Sequence, residues 1–163
     1  MKSNVDFTPY ELVPFEKRWE AELIALITSC YGEYGQKIEL DTLDNDLYHI
    51  EALYGSDFRV LLDGDRLIAT VAVKRTGERE MDLKRLFVDP AYRRQGLGKR
   101  LSLWAYDFAR REGCTVLHVW SDVLYHGAHR LYRALGTVDT GRRRSLGGIN
   151  EVDEFYFEWR IEA

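Results

Sequence analysis

Between residues 15 and 30, apolar side chains recur at Phe15, Trp19, Leu23, Leu26, Ile27 and Cys30. Steps of three and four residues give a helix one buried face, and Gly32 or Gly35 ends it. A short β-prone run, residues 10–13, precedes it and stops at Pro14. A second, shorter helix is predicted from a cap at Asp41 or Thr42, with Leu43, Leu47, Ile50 and Tyr54 on one side and Gly55-Ser56 as its break.

The pattern then changes to strands. Residues 58–62 and 67–74 are β-rich and joined by Asp63-Gly64-Asp65, a hairpin signal. Thr76-Gly77-Glu78 turns the chain again into a strand over 80–88. From about Gly98 the helical spacing returns, with Leu101, Trp104, Ala105 and Phe108 on one face, Arg110-Arg111 in the last turn and Gly113 as terminator. A strand over 115–120 follows. A helix separates it from the previous strand, so the two are expected to be parallel neighbours. Residues 128–135 form a short helix closed by Gly136, and strands over 138–143 and 154–161 finish the chain. The predicted order is β-α-α-β-β-β-α-β-α-β-β, an α/β (α+β) fold with a mixed, mostly antiparallel sheet of about seven strands and about four helices.

Composition narrows the class. With 163 residues the chain is read as one domain, 1–163, able to bury about two-thirds of its unfolded surface. A net charge of −4 argues against a nucleic-acid binder, and basic residues gather locally at 93–100 and 142–144, which suits a small anion. The two cysteines, Cys30 and Cys114, have no ligand-like spacing. His126 and His129 lack the partners of a metal site, so no metal is expected. No apolar run approaches ~18 residues, and the expectation is a soluble cytoplasmic protein with reduced thiols and no membrane partner.

The chemistry concentrates at residues 83–112. The strand ending Leu86-Phe87-Val88 is stopped by Asp89-Pro90. A basic turn, Arg93-Arg94-Gln95-Gly96-Leu97-Gly98, then opens a helix. Glycines let successive N–H groups converge, and the helix dipole points at the same spot, so the turn is an anion site. Gly98-Lys99 fits the end of a P-loop, but Arg93 and Arg100 break that motif. Leu101 stands where a dinucleotide fingerprint needs its third glycine.

The turn resembles the Arg/Gln-x-x-Gly-x-Gly/Ala signature of the GNAT superfamily of acyl-CoA N-acyltransferases. The approach through Val88-Asp89-Pro90 is similar to that family's strand, and Ala128-His129-Arg130-Leu131-Tyr132-Arg133-Ala134-Leu135-Gly136 is similar to its Ala-x-x-Leu-Tyr-x-x-x-Gly-Phe helix, with Thr137 in place of the phenylalanine. The element order also agrees. The resemblance implies that acetyl-CoA is the cosubstrate. Its pyrophosphate would lie on backbone N–H groups of Gln95, Gly96, Leu97, Gly98 and Lys99, with charge from Arg93, Arg94, Lys99 or Arg100. Its pantetheine arm would run along Leu86, Phe87 and Val88. It further implies that Tyr132 is the general acid for the leaving thiolate, and that Asp82, or Glu80 two residues earlier, is the base for the amine. The N–H near Val88 would polarise the carbonyl.

For the acceptor, the resemblance points to the first helices and the last hairpin, with Tyr34, Tyr48, Glu80, Tyr125 and Asn150 as substrate-binding candidates. Glu33, Glu39, Asp41, Asp44 and Asp46 suit a cationic polyamine; arginines 142–144 and Asn150 suit a carboxylate, as in an amino acid. A small-molecule primary amine is the expected acceptor. A non-catalytic acyl-CoA sensor and a protein N-terminal or lysine acetyltransferase are the alternatives. The last strands can pair at an edge, so a homodimer is a further expectation.

Overall fold

The computed structural model describes residues 3–162. Seven strands, β1 (Glu11–Pro14), β2 (Phe58–Asp63), β3 (Arg66–Gly77), β4 (Glu80–Val88), β5 (Val116–Asp122), β6 (Val138–Gly147) and β7 (Val152–Arg160), make one sheet in the order β1-β2-β3-β4-β5-β7-β6. Four α-helices accompany them: α1 (Glu20–Gly32), α2 (Ile50–Tyr54), α3 (Leu97–Arg111) and α4 (His126–Ala134). The expected element order and the single parallel pair, β4 with β5, are both present.

Two cores flank the sheet. Leu23, Ile27, Leu47, Ile50 and Phe58 pack beneath α1 and α2. Met81, Leu83, Leu97, Leu101, Trp104, Leu117, Val119 and Phe157 pack beneath α3 and α4. Period-2 alternation assigns β4 and β5 to these faces: Met81, Leu83, Leu117 and Val119 point to α3, leaving Glu80, Asp82, His118 and Trp120 on the other side.

The second helix is shorter than its apolar spacing suggests. A 3₁₀ turn, Asn45–Tyr48, precedes a five-residue α2, and residues 41–44 form turns. Asp44 is the cause. Its buried carboxylate accepts from Glu39 N at 2.7 Å and Tyr31 Oη at 2.8 Å, bonds that hold the segment in a turn instead of letting a helix continue.

The feature that positions the site is the parting of β4 and β5. They pair only from Glu80↔Val116 to Leu83↔Val119. Beyond that, β4 stays with β3 and β5 stays with β7. The break coincides with a bulge: Lys84 to Phe87 on β4 spans only Ala72 to Thr70 on β3, and Arg85 takes φ +52. Two features compensate that conformation. Thr70 Oγ1 donates to the Arg85 carbonyl at 2.8 Å, and the Arg85 side chain reaches Asp44 (3.0 Å), Asp46 (2.5 and 3.1 Å) and the Tyr31 hydroxyl (3.0 Å).

Candidate active site at the parting of two strands

The gap between β4 and β5 opens beyond Leu83 and Val119. Asp89 N donates to Ile68 O at 2.8 Å, toward β3. Strand alternation therefore turns the peptide groups of Val88 and Leu86 toward the gap. The Val88 carbonyl already has a partner there, Arg93 Nε at 3.2 Å, with the Cys30 thiol at 3.7 Å. Phe87 points to the other side, edge-on to Tyr31.

The chain then makes a 3₁₀ turn, Pro90–Tyr92, capped by the Asp89 carboxylate on Ala91 N. Arg94 and Gly96 both adopt left-handed φ, +66 and +73. Such a path aims consecutive N–H groups at one point. At the start of α3, Gly96 supplies no side-chain cap, and the first turn holds no acidic residue. The N–H groups of Leu97, Gly98 and Lys99 therefore face outward without a capping partner. Lys99 and Arg100 lie in this first turn, where the dipole disfavours cations. Together with Arg94 they form no ion pair among the described residues. Cations without ion pairs at the positive end of a helix suit an anion, although Arg100 also feels the Asp6 carboxylate. At Gly98 α3 comes close to α4: a Cβ there would stand 3.4 Å from the Leu131 side chain, a contact that packing can accept.

Arg93 does not join this group. Its Nη1 and Nη2 each sit 2.7 Å from a Glu33 oxygen, so it fastens the turn to the end of α1. Gln95 is likewise used in packing, its Oε1 accepting from Tyr10 Oη at 2.7 Å.

Tyr132 is buried on α4 in the core under α3, its ring 5.7 Å from Phe157. Its phenol donates to nothing among the described residues, and burial raises its pKa, so it is protonated at neutral pH. Asp82 is half-buried on the opposite sheet face, between Lys74 and His118 on the neighbouring strands. Burial raises its pKa, against the lowering effect of Lys84, His118 and Arg144. Glu80 lies beside it, with Oε1 3.3 Å from His118 Nε2.

The remaining candidates form a wall around that face. Tyr125 Oη donates to Gln36 Oε1 at 3.0 Å, and Gln36 Nε2 donates to Asp122 at 2.7 Å. Tyr34 packs on Tyr125 with ring centres 4.7 Å apart. Asn150 bonds the backbone of Lys37 at both ends of its amide, 2.9 and 2.7 Å, which makes it a strut between the last hairpin and the loop after α1. Tyr48 is exposed, in the 3₁₀ turn before α2. The acidic residues that suggested a polyamine are largely consumed within the fold: Glu33 by Arg93, Asp44 and Asp46 by Arg85.

Sequence reasoning named Arg142 only as one of three arginines suited to a carboxylate, and it passed over Arg85, His118, Trp120 and Tyr156, which line or brace this face. His118 could have been found from alternation along β5 combined with its pairing opposite Asp82. Among the described residues no cluster of three or more His, Cys, Asp or Glu could hold a metal, and no helix is long and apolar enough to cross a membrane.

The acetyltransferase (GNAT) family model matches residues 20–137. N-acetyltransferase 8 of Mus musculus is 33% identical over 92 residues, covering 53% of this chain and 40% of that protein. N-acetylaspartate synthetase of Danio rerio is 30% identical over 140 residues, covering 78% of this chain and 50% of that protein. The chain thus spans about half the length of these curated relatives. The fold is that of an acetyltransferase of GNAT family from Staphylococcus aureus Mu50, with a TM-score of 0.79 at 21% identity over 94% of this chain and 99% of that one. The glycine turn, the strand gap and the matching model, which covers most of the sequence, make this chain a member of the acetyltransferase (GNAT) family.

Proposed function

We propose that this chain transfers the acetyl group of acetyl-CoA to the amine of a small molecule, by direct attack in a ternary complex. The observation that carries this reading is the run of uncapped N–H groups and of cations without ion pairs among the described residues at Arg94–Arg100, next to the gap where β4 and β5 part.

When bound, acetyl-CoA supplies an activated acyl carbon and a thiolate leaving group. The turn from Gln95 to Lys99 holds its pyrophosphate through backbone N–H groups, and Arg94, Lys99 and Arg100 add charge. The gap-facing peptides of Leu86 and Val88 bind the arm as an added strand would. An acceptor ammonium, titrating near ~10, first gives one proton to Asp82, and the neutral amine then attacks; its second proton leaves the tetrahedral nitrogen and replaces the one that Tyr132 spends on the sulfur. Burial strengthens Asp82 as a base. The Val88 N–H steadies the developing oxyanion. Tyr132 gives its phenolic proton to the departing sulfur.

The test has two stages. Calorimetry should give saturable acetyl-CoA binding that weakens when Lys99 and Arg100 are both changed to Gln. Thiol release should then appear with some member of a small-amine panel. Tight acetyl-CoA binding with no thiol release for any amine would leave a sensor module as the better reading.

A further inference from the structure

α1 and α2 pack mainly over β2, β3 and β4. On β5, β7 and β6 the same face carries a polar and aromatic patch that the donor site does not use. His118 and Trp120 of β5 stand beside Glu80 and Asp82 of β4, and beside Tyr156 and Glu158 of β7. His118 Nδ1 lies 2.5 Å from the Tyr156 hydroxyl and its Nε2 3.3 Å from Glu80 Oε1. A carboxylate on Nε2–H leaves Nδ1 to accept from the phenol, so the imidazole is held in one tautomer. This side of the patch is acidic and suits an amine.

The other side is set by β6. Residues Asp139 to Arg143 span only Phe157 to Phe155 of β7, and Gly141 within this bulge takes φ +77. The detour sets Arg142 over the patch, its guanidinium carbon 4.8 Å from the Tyr156 ring centre and 5.5 Å from that of Trp120. The next two arginines are neutralised, Arg143 by Asp153 at 3.2 Å and Arg144 by Glu154 at 2.7 Å. Arg142 forms no ion pair among the described residues. A guanidinium stacked on rings keeps its N–H edge free, and that edge matches a carboxylate in a two-bond fork. The same positive charge repels a simple amine or a polyamine.

We propose that the acceptor is an α-amino acid, its free carboxylate forked by Arg142 and its amine facing Asp82 and the Glu80–His118–Tyr156 chain. A zwitterion is the one small amine whose charges match both sides of the patch. This rests on the acetyl-transfer reading above.

Thiol release from acetyl-CoA is measured with three matched sets: free amino acids, their carboxamides, and the amines left on decarboxylation, such as L-phenylalanine, L-phenylalaninamide and phenethylamine. Turnover is expected with free acids and to be strongly reduced in the other two sets. Arg142→Gln should raise KM for the best amino acid by roughly 10- to 100-fold and leave kcat and acetyl-CoA affinity unchanged. Arg142→Lys, which keeps the charge without the fork, should fall between. Amides or amines used as well as acids would overturn the proposal, and a preference for amides would point to peptide N-termini. An unchanged KM in Arg142→Gln, or no turnover in any set by protein that binds acetyl-CoA, would also overturn it. Absence of acetyl-CoA binding instead removes the acetyl-transfer reading itself.

Discussion

Arg93 and Glu33 are joined by two parallel hydrogen bonds of 2.7 Å, and this fork ties the glycine turn to the end of α1. Both side chains are partly exposed, so Glu33→Gln should change unfolding free energy by less than about 1 kcal/mol. The turn, however, loses its anchor to α1. Acetyl-CoA affinity should fall several-fold while the denaturant midpoint barely moves. Equal affinity in the variant would mean that the turn holds its shape without the pair.

Tyr132→Phe removes one oxygen that bonds to nothing among the described residues. The core under α3 should tolerate the change with little loss of stability, and acetyl-CoA affinity should stay the same. The turnover number should drop by about 10²- to 10⁴-fold, the range for a lost general acid. Single-turnover acyl transfer is the decisive measurement; full activity would exclude Tyr132 as the donor.

Asp82 gives a pH signature. Burial raises its pKa, with Glu80 adding to the rise, so the acid limb of kcat/KM should lie above the ordinary carboxylate range. A carboxyl whose folded pKa is raised contributes stability below its unfolded pKa and loses it as pH rises through the folded value. At neutral pH the ionised group therefore weighs against folding. Asp82→Asn should be at least as stable as the parent at pH 7, and should lose both activity and the acid limb. A variant that keeps the limb would shift the base role elsewhere, with Glu80 the nearest alternative.

Arg85→Met should be severely destabilising. It leaves the Asp44 and Asp46 carboxylates, both largely buried, without their cation, which costs about 3–5 kcal/mol. The parent also carries a pH dependence here. Burial alone would raise the pKa of Asp46, but hydrogen bonds and charge from Arg85 outweigh it and hold the value below the ordinary carboxylate range. That stability is present above about pH 4 and lost as pH falls through the lowered value. Chemical unfolding across pH 2–6 in the parent and in Asp46→Asn would reveal the difference.

Much of this architecture was readable from spacing. The helical stripe from Phe15 to Cys30, the Asp63-Gly64-Asp65 hairpin and the helix after Gly98 all appear where periodicity puts them. The glycine turn was readable because its function depends on backbone freedom, which only a few residue types provide. The roles of charged side chains were harder to read. Nothing in the string shows that Arg93 belongs to Glu33, 60 positions away, or that Arg85 consumes Asp44 and Asp46. As a run, residues 39–46 look like an acidic lure for a cation; folded, much of that charge is internal ballast. His118 was missed for a related reason. Its meaning depends on register with β4 and β7, and parallel register leaves no turn signature to count from.

The β6 bulge has a consequence for how such a protein can diversify. In the proposed reading the donor end is read mainly by peptide groups, which most side-chain replacements leave intact. In the same reading the acceptor end is read by side chains on an edge hairpin, where Arg142 owes its position to two extra residues and one left-handed glycine. Inserting or deleting a residue there would turn a different side chain over the patch without disturbing β4, α3 or the gap between them. On the proposed reading, a new choice of acceptor is one small indel away, while the binding of the common donor is inherited unchanged.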